Sequence, residues 1–189
     1  MKLLVATTNP GKLREFQLAA GDVEIVPIPT GLPPEETGTT FEENAALKAA
    51  YYSQGADGLL FAEDSGLEVP ALGGAPGLHS ARFSPTGDDA ANNALLIAKL
   101  QGVTDRRARY VCVIAVAERG KVRATFRGEV QGEIVDTPRG TGGFGYDPHF
   151  FYPAFGSTFA QVAPELKFEV SHRRRALDEM FTWLRSASR

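Results

Sequence analysis

Two long stretches rich in β-branched and apolar residues, 109–117 and 121–135, are separated only by Glu118-Arg119-Gly120. A tight glycine-containing turn between such runs reads as a β-hairpin, and strands of that length need a sheet to bury them. Upstream the pattern is different. Short apolar runs at 3–7, 23–28 and 59–62 alternate with segments of helical character at 12–20 and 41–54. Strands that alternate with helices pair in parallel, whereas a hairpin pairs antiparallel. A chain that carries both is expected to be an α/β protein with a mixed sheet. Ligands in such sheets bind beyond the carboxyl ends of strands, so the loops that follow strands are the first place to seek chemistry.

The rest of the chain fits this frame. Leu13, Phe16 and Ala20 would form the inner face of the first helix, and Pro27, Pro29, Pro33 and Pro34 make the following segment a loop. Thr40 and Glu43 have capping-box spacing ahead of an alanine-rich helix over 41–54. The strand at 59–62 is expected to deliver Glu63-Asp64-Ser65-Gly66 at its end. Glycine and proline make 72–85 a loop, 88–100 reads as helix, and 140–145 is a second flexible loop. Ala176, Leu177, Met180, Phe181 and Leu184 recur at helical spacing in a last helix over 173–186.

At 189 residues and 43% hydrophobic content the chain suits one domain over 1–189. A net charge of −3 argues against a polynucleotide partner, which demands a basic footprint, but allows a local pocket for a small anion. The single cysteine, Cys112, lies inside the apolar run 110–114 and reads as a buried core thiol in a reducing compartment. The apolar run at 3–6 is too short for a signal-peptide core, and no stretch approaches a membrane span, so a cytoplasmic location is expected.

Four polar clusters carry possible chemistry. Thr7-Thr8-Asn9-Pro10-Gly11-Lys12 lies between a strand and a helix, where backbone N–H groups, small hydroxyls and a lysine can receive an anion. It lacks P-loop spacing, and a plain turn with an N-cap accounts for it equally well. Glu42, Glu43, Glu63 and Asp64 supply carboxylates from separate elements, enough to hold Mg²⁺ with phosphate oxygens and water, although Glu43 can instead cap its own helix. Asp64-Ser65-Gly66 also lets backbone approach a ligand closely. Gly142-Gly143-Phe144-Gly145-Tyr146-Asp147-Pro148 can offer an aromatic face to a base, or anchor a loop. Lys167 with Ser171-His172-Arg173 gathers donors near a helix start, where Ser171 is equally a plausible N-cap.

Taken together, TTNPGK at 7–12, TFEEN at 40–44, AEDSGLEV at 62–69, PGLHSARF at 76–83, GGFGYDPHF at 142–150 and SHRRRAL at 171–177 fall in one order. In that order the chain closely resembles the inosine triphosphate pyrophosphatases, also called XTP/dITP diphosphatases, over nearly its whole length. The resemblance implies a Mg²⁺-dependent enzyme that converts inosine, deoxyinosine or xanthosine triphosphate to monophosphate and pyrophosphate. It implies an elongated two-lobed α/β fold with a long mixed sheet, a cleft between the lobes, and a homodimer. By residue, it implies that Thr7, Thr8, Asn9, Pro10, Gly11 and Lys12 hold the triphosphate. Glu43 and Asp64 would bind metal, Asp64 would also activate water, and Ser65 would touch the nucleotide. Phe144 would stack on the base with Gly145, Tyr146 and Asp147 completing that wall, and Lys167, His172 and Arg173 would read its keto group. Two positions depart from the family pattern: Phe168 stands where asparagine commonly follows the lysine, and Tyr146 where some relatives carry tryptophan. Both bear on substrate ranking. The alternatives are a pyrophosphatase for other modified nucleotides and a non-catalytic nucleotide-binding module.

Overall fold

A computed structural model describes residues 1–187, so the last two residues of the domain expected over 1–189 lie outside the described residues. In chain order the elements are β1 (Lys2–Val5), α1 (Pro10–Ala19), β2 (Glu24–Pro27), α2 (Phe41–Ser53), β3 (Leu60–Glu68), α3 (Asp89–Lys99), β4 (Arg107–Glu118), β5 (Lys121–Ile134), β6 (Phe150–Tyr152), β7 (Ser157–Thr158), α4 (Pro164–Val170) and α5 (His172–Ala187). The strands form a seven-stranded sheet in the order β2-β1-β3-β4-β5-β6-β7. β1 pairs in parallel with β2 and β3, whereas β6 pairs antiparallel with β5 and β7. The sheet is therefore mixed, as the hairpin and the alternating segments require. The β4–β5 turn places Arg119 and Gly120 at φ 50° and 78°, the left-handed geometry that matches strand twist in tight hairpins.

One boundary differs in a way that matters. The strand expected over 59–62 runs on to Glu68, so Glu63-Asp64-Ser65-Gly66 lies within a strand and not in a loop after one. Leu67 and Val69 are fully buried and continue the alternation, and the Leu67 N–H donates to Ser80 Oγ at 2.9 Å. The short strands β6 and β7 and the helix α4 were not expected from the pattern. Residues 77–82 form a 3₁₀ turn within the stretch read as loop, and 70–72 form another that ends where that stretch begins. No helix among the described residues is long and apolar enough to cross a membrane.

Contacts divide the chain into two compact units, neither contiguous in sequence. The first comprises 1–64, 112–128 and the segment from His172 onward; the second comprises 65–111 and 129–171. In the first, β1, the start of β3 and the apolar run of β4 are buried with Phe16 of α1 and Ala176, Leu177, Met180 and Phe181 of α5. Phe16 meets Phe61 edge-on at 5.0 Å. Gly128 of β5 lets the start of α5 lie directly on the strand, since a Cβ there would fall 2.6 Å from Ala176 N. In the second unit, Leu67, Leu96, Leu100, Tyr110, Ile134, Phe150 and Phe159 form one hydrophobic cluster.

Candidate active site

In the first unit the predicted anion loop is a capped helix start. The Asn9 side chain accepts the Lys12 N–H at 3.1 Å, Pro10 opens α1, and Thr7 Oγ1 accepts the Asn9 N–H at 3.2 Å. Partial positive charge on the first-turn N–H groups, with the Lys12 ammonium, suits a phosphate. The Ala6 N–H donates to Phe61 O at 3.1 Å, so the chain enters this loop alongside the stretch of β3 that carries Glu63 and Asp64.

Successive side chains of a strand point to opposite faces, and these two carboxylates have separate partners accordingly. Glu63 is buried and ion-paired with Lys12 and with Arg173, whose Nε lies 3.2 Å from Oε2. Arg173 is itself 2% exposed and also ion-paired with Glu15. The Cys112 thiol donates to Glu63 Oε2 at 3.1 Å. Burial opposes ionisation of Glu63, but the Arg173 and Lys12 charges prevail and hold its carboxyl well below the usual range. Burial and the Glu63 charge push the Cys112 thiol well up, so Cys112 is a protonated core thiol, not a nucleophile.

Asp64 faces α2. Lys48 Nζ lies 2.9 Å from Asp64 Oδ1 and 2.9 Å from Glu36 Oε1, and the Asn44 amide donates to Asp64 Oδ2 at 3.4 Å. Asn44 and Lys48 are four apart on α2 and so share a face. Gly38 brings the preceding loop onto the helix start: its N–H donates to Asn44 Oδ1 at 2.9 Å, and a Cβ would fall 2.7 Å from that of Glu43. That close approach carries Glu36 to Lys48. Burial raises the Asp64 carboxyl above its ordinary value, with Lys48 offsetting only part of the effect. Two neighbouring carboxyls are thus shifted in opposite directions, the arrangement that separates a fixed charge from a proton acceptor.

Glu43 behaves otherwise. Its carboxylate accepts from Thr39 N–H at 2.6 Å and Thr39 Oγ1 at 2.9 Å, while Thr40 Oγ1 caps the Glu43 N–H at 3.1 Å. Those backbone and hydroxyl bonds lower its pKa. It closes the helix start, and Glu36 is the glutamate that shares a partner with Asp64. Glu36, Asn44 and Lys48 were missed in the sequence; the spacing of Asn44 and Lys48 on one helix was the available signal.

In the second unit, Phe144 keeps 38% of its surface exposed and has the Lys167 ammonium 4.6 Å from its ring centroid. Lys167 Nζ donates to Asp147 Oδ2 at 2.5 Å, and that oxygen also accepts the Phe144 N–H at 3.0 Å. Tyr146 is buried with its hydroxyl on Ser80 O at 2.7 Å, so Tyr146 and Asp147 support the loop while Phe144 presents its face. Ser65 lies half-buried in β3 and His172 is buried at the start of α5. Phe168, the departure in α4, is a buried core residue.

A mixed sheet, a helix start whose N–H groups and lysine suit an anion, and a largely secluded carboxylate of raised pKa are features of an α/β enzyme that hydrolyses phosphorylated small molecules. The chain belongs to the Ham1 family, which it matches over residues 3–183. It is 51% identical to the dITP/XTP pyrophosphatase of Acidobacterium capsulatum, over 94% of this chain and 95% of that one. The dITP/XTP pyrophosphatase of an Exiguobacterium species is 46% identical, over 95% of each. The structure of the Staphylococcus aureus Ham1 protein superposes with a TM-score of 0.89 at 40% identity, covering 99% of this chain and 100% of that one.

Proposed function

We propose that this protein is a nucleoside triphosphate pyrophosphatase that hydrolyses dITP, ITP and XTP to monophosphate and pyrophosphate. The observation that carries the proposal is the Asp64 carboxylate, raised in pKa by burial and held by Lys48, in the strand beside the Thr7–Lys12 anion loop. Kinship to two dITP/XTP pyrophosphatases along nearly the whole chain supports the same substrate class.

No group of three or more metal-type side chains occurs among the described residues. Mg²⁺ in phosphoryl chemistry needs fewer, because it takes one or two carboxylates and fills its shell with phosphate oxygens and water. Glu36 and Asp64 converge on a single cationic group, the Lys48 ammonium, each at 2.9 Å. Their donor chemistry fits Mg²⁺, and Glu36 replaces Glu43 as the second carboxylate in this reading. Bound there, the ion would offset negative charge on the phosphates.

The remaining work belongs to the chain. Thr7, Thr8, Asn9, Gly11 and Lys12 bind the triphosphate at the start of α1, with Pro10 setting its first turn. Asp64 orients a water and accepts its proton as oxygen attacks the α-phosphorus; the bond to the β-phosphate breaks and pyrophosphate leaves. Lys48 fixes Asp64, and Glu63 fixes Lys12. Ser65 contacts the nucleotide, Phe144 stacks on the base, and Lys167, His172 and Arg173 supply donors for its keto oxygen. A cytoplasmic homodimer belongs to the same reading. Pyrophosphate release from a panel of ITP, dITP, XTP, GTP, ATP and modified pyrimidine triphosphates tests the proposal. Failure to release pyrophosphate from any of the first three overturns it.

A further inference from the structure

We infer that Asp89 and Asn93 of α3 are positioning residues for the base, acting through the loop that carries Phe144. The inference rests on the reading of Phe144 as a stacking platform. Asp88 and Asp89 are adjacent at the start of α3, yet only Asp88 caps the helix, accepting the Ala91 N–H at 2.8 Å. The Asp89 carboxylate is turned to the loop, where Oδ2 accepts the Gly145 N–H at 2.7 Å. One turn on, the Asn93 amide donates to Gly145 O at 2.9 Å and to Asp89 O at 2.8 Å. Spacing of four puts both side chains on one helix face, so they grip the two polar groups of a single residue.

That residue follows Phe144 directly and has φ +62°, a left-handed geometry that glycine adopts freely. On the other side of Phe144, Gly143 has φ +71°, and a Cβ there would lie 2.9 Å from Asp147 Cγ. The Phe144 N–H is held by Asp147 Oδ2 at 3.0 Å. Residues 143–145 belong to no helix or strand, so their shape is set by the side chains that grip them. Asp147 holds one flank and the Asp89–Asn93 pair the other. A ring on a half-exposed glycine loop keeps its orientation only while both flanks are held; release of one adds an ordering cost to every binding event.

Asp89 is exposed and takes no part in the core, so Asp89→Ala leaves the fold intact. The experiment compares Asp89→Ala, Asp89→Asn, Phe144→Ala and the double variant Asp89→Ala/Phe144→Ala in steady-state hydrolysis of ITP, and measures amide hydrogen exchange at Gly145. Loss of a charge-assisted hydrogen bond predicts a KM rise of about tenfold in Asp89→Ala, with kcat within about threefold. Exchange at Gly145 accelerates in the same variant. Asp89→Asn retains an acceptor oxygen and recovers most of the KM. The double variant is no worse than Phe144→Ala, because a loop without its ring has nothing left to orient. If Phe144→Ala raises KM while Asp89→Ala changes neither KM nor Gly145 exchange, the positioning role is wrong and the stacking platform stands. If Phe144→Ala leaves KM unchanged, the platform itself fails, and the role assigned to Asp89 and Asn93 fails with it.

Discussion

The Lys48 ammonium lies 2.9 Å from Asp64 Oδ1, with only 17% and 14% of the two side chains exposed. An ion pair this secluded leaves a costly charge behind when one partner is removed, about 3 kcal/mol at the lower end for buried pairs. Lys48→Ala is therefore expected to destabilise the fold by that order, and Lys48→Ala/Asp64→Asn to recover part of the loss. Asp64→Asn alone removes the proposed proton acceptor while keeping its shape, and turnover should fall by roughly 100-fold or more. Urea unfolding and saturating-substrate kinetics check the two halves. Near-normal turnover in Asp64→Asn at saturating Mg²⁺ would remove Asp64 from the chemistry.

Glu36 and Glu43 make a direct comparison, since one shares Lys48 with Asp64 and the other is tied to Thr39. Glu36→Gln should raise the Mg²⁺ concentration needed for half-maximal activity. Glu43→Gln should leave that concentration nearly unchanged, because a glutamine keeps an acceptor oxygen for the Thr39 N–H at the helix start. Magnesium titrations of both variants decide which glutamate matters to the ion; the reverse pattern would restore Glu43.

Much of this site was legible in the sequence, and the part that was not has a physical cause. Asp64, Lys12 and Phe144 sit in motifs whose local composition already suggested chemistry. The extension of β3 through Glu63 and Asp64 was hidden because charged residues end most apolar runs, and here the strand can hold a buried Glu63 and a partly buried Asp64 because Lys12, Arg173 and Lys48 neutralise them. Those partners come from α1, α2 and α5, so the compensation exists only in three dimensions. Arg173 shows the same limit: nothing in its sequence neighbours foretells its ion pairs with Glu15 and Glu63. The short β6 and β7 carry too few residues for a period to be read.

In the proposed reading Lys12 contacts a part of the substrate common to all nucleotides. Lys12→Ala should raise KM for ITP, dITP and XTP by a similar factor and leave their ranking unchanged. Steady-state kinetics with altered base ranking at ordinary affinity would assign Lys12 to another part of the site.

Glu63 gives the fold an acid-sensitive element. Its carboxyl is held below the ordinary value of 4.5 by Arg173 and Lys12 against the opposing effect of burial. The folded state therefore binds fewer protons than the unfolded state as pH falls below that value. The stability contributed by this group is complete above about pH 5 and is lost progressively as acidification proceeds toward the depressed folded value. Glu63→Gln should be less stable than the parent at neutral pH, and should lose less further stability between about pH 5 and pH 3. Chemical unfolding across that range measures both curves. Parallel curves would mean that the charge on Glu63 contributes nothing to the fold.

The choice of base is the last expectation. Stacking on Phe144 cannot separate adenine from hypoxanthine, because both offer similar faces. The distinction lies at position 6, where hypoxanthine and xanthine carry an acceptor and adenine a donor amino group. Lys167 offers only donors; its ammonium is buried, bonded to Asp147 at 2.5 Å and set 4.6 Å from the Phe144 ring centroid. An adenine amino group facing such a donor meets no acceptor there, and sites built on a matched polar contact discriminate by roughly 10⁴-fold or more. Guanine shares the keto oxygen, so the margin over GTP should be smaller than that over ATP. Lys167→Gln substitutes an amide that can donate or accept, and should narrow the ITP-to-ATP ratio of kcat/KM chiefly by improving ATP relative to ITP. Arg173→Ala should narrow it as well, accompanied by loss of stability because Glu15 and Glu63 lose their shared partner. Comparison of kcat/KM for ITP, XTP, GTP and ATP across the three proteins tests each step, and a parent enzyme that hydrolyses ATP as well as ITP would show that these donors do not read the base.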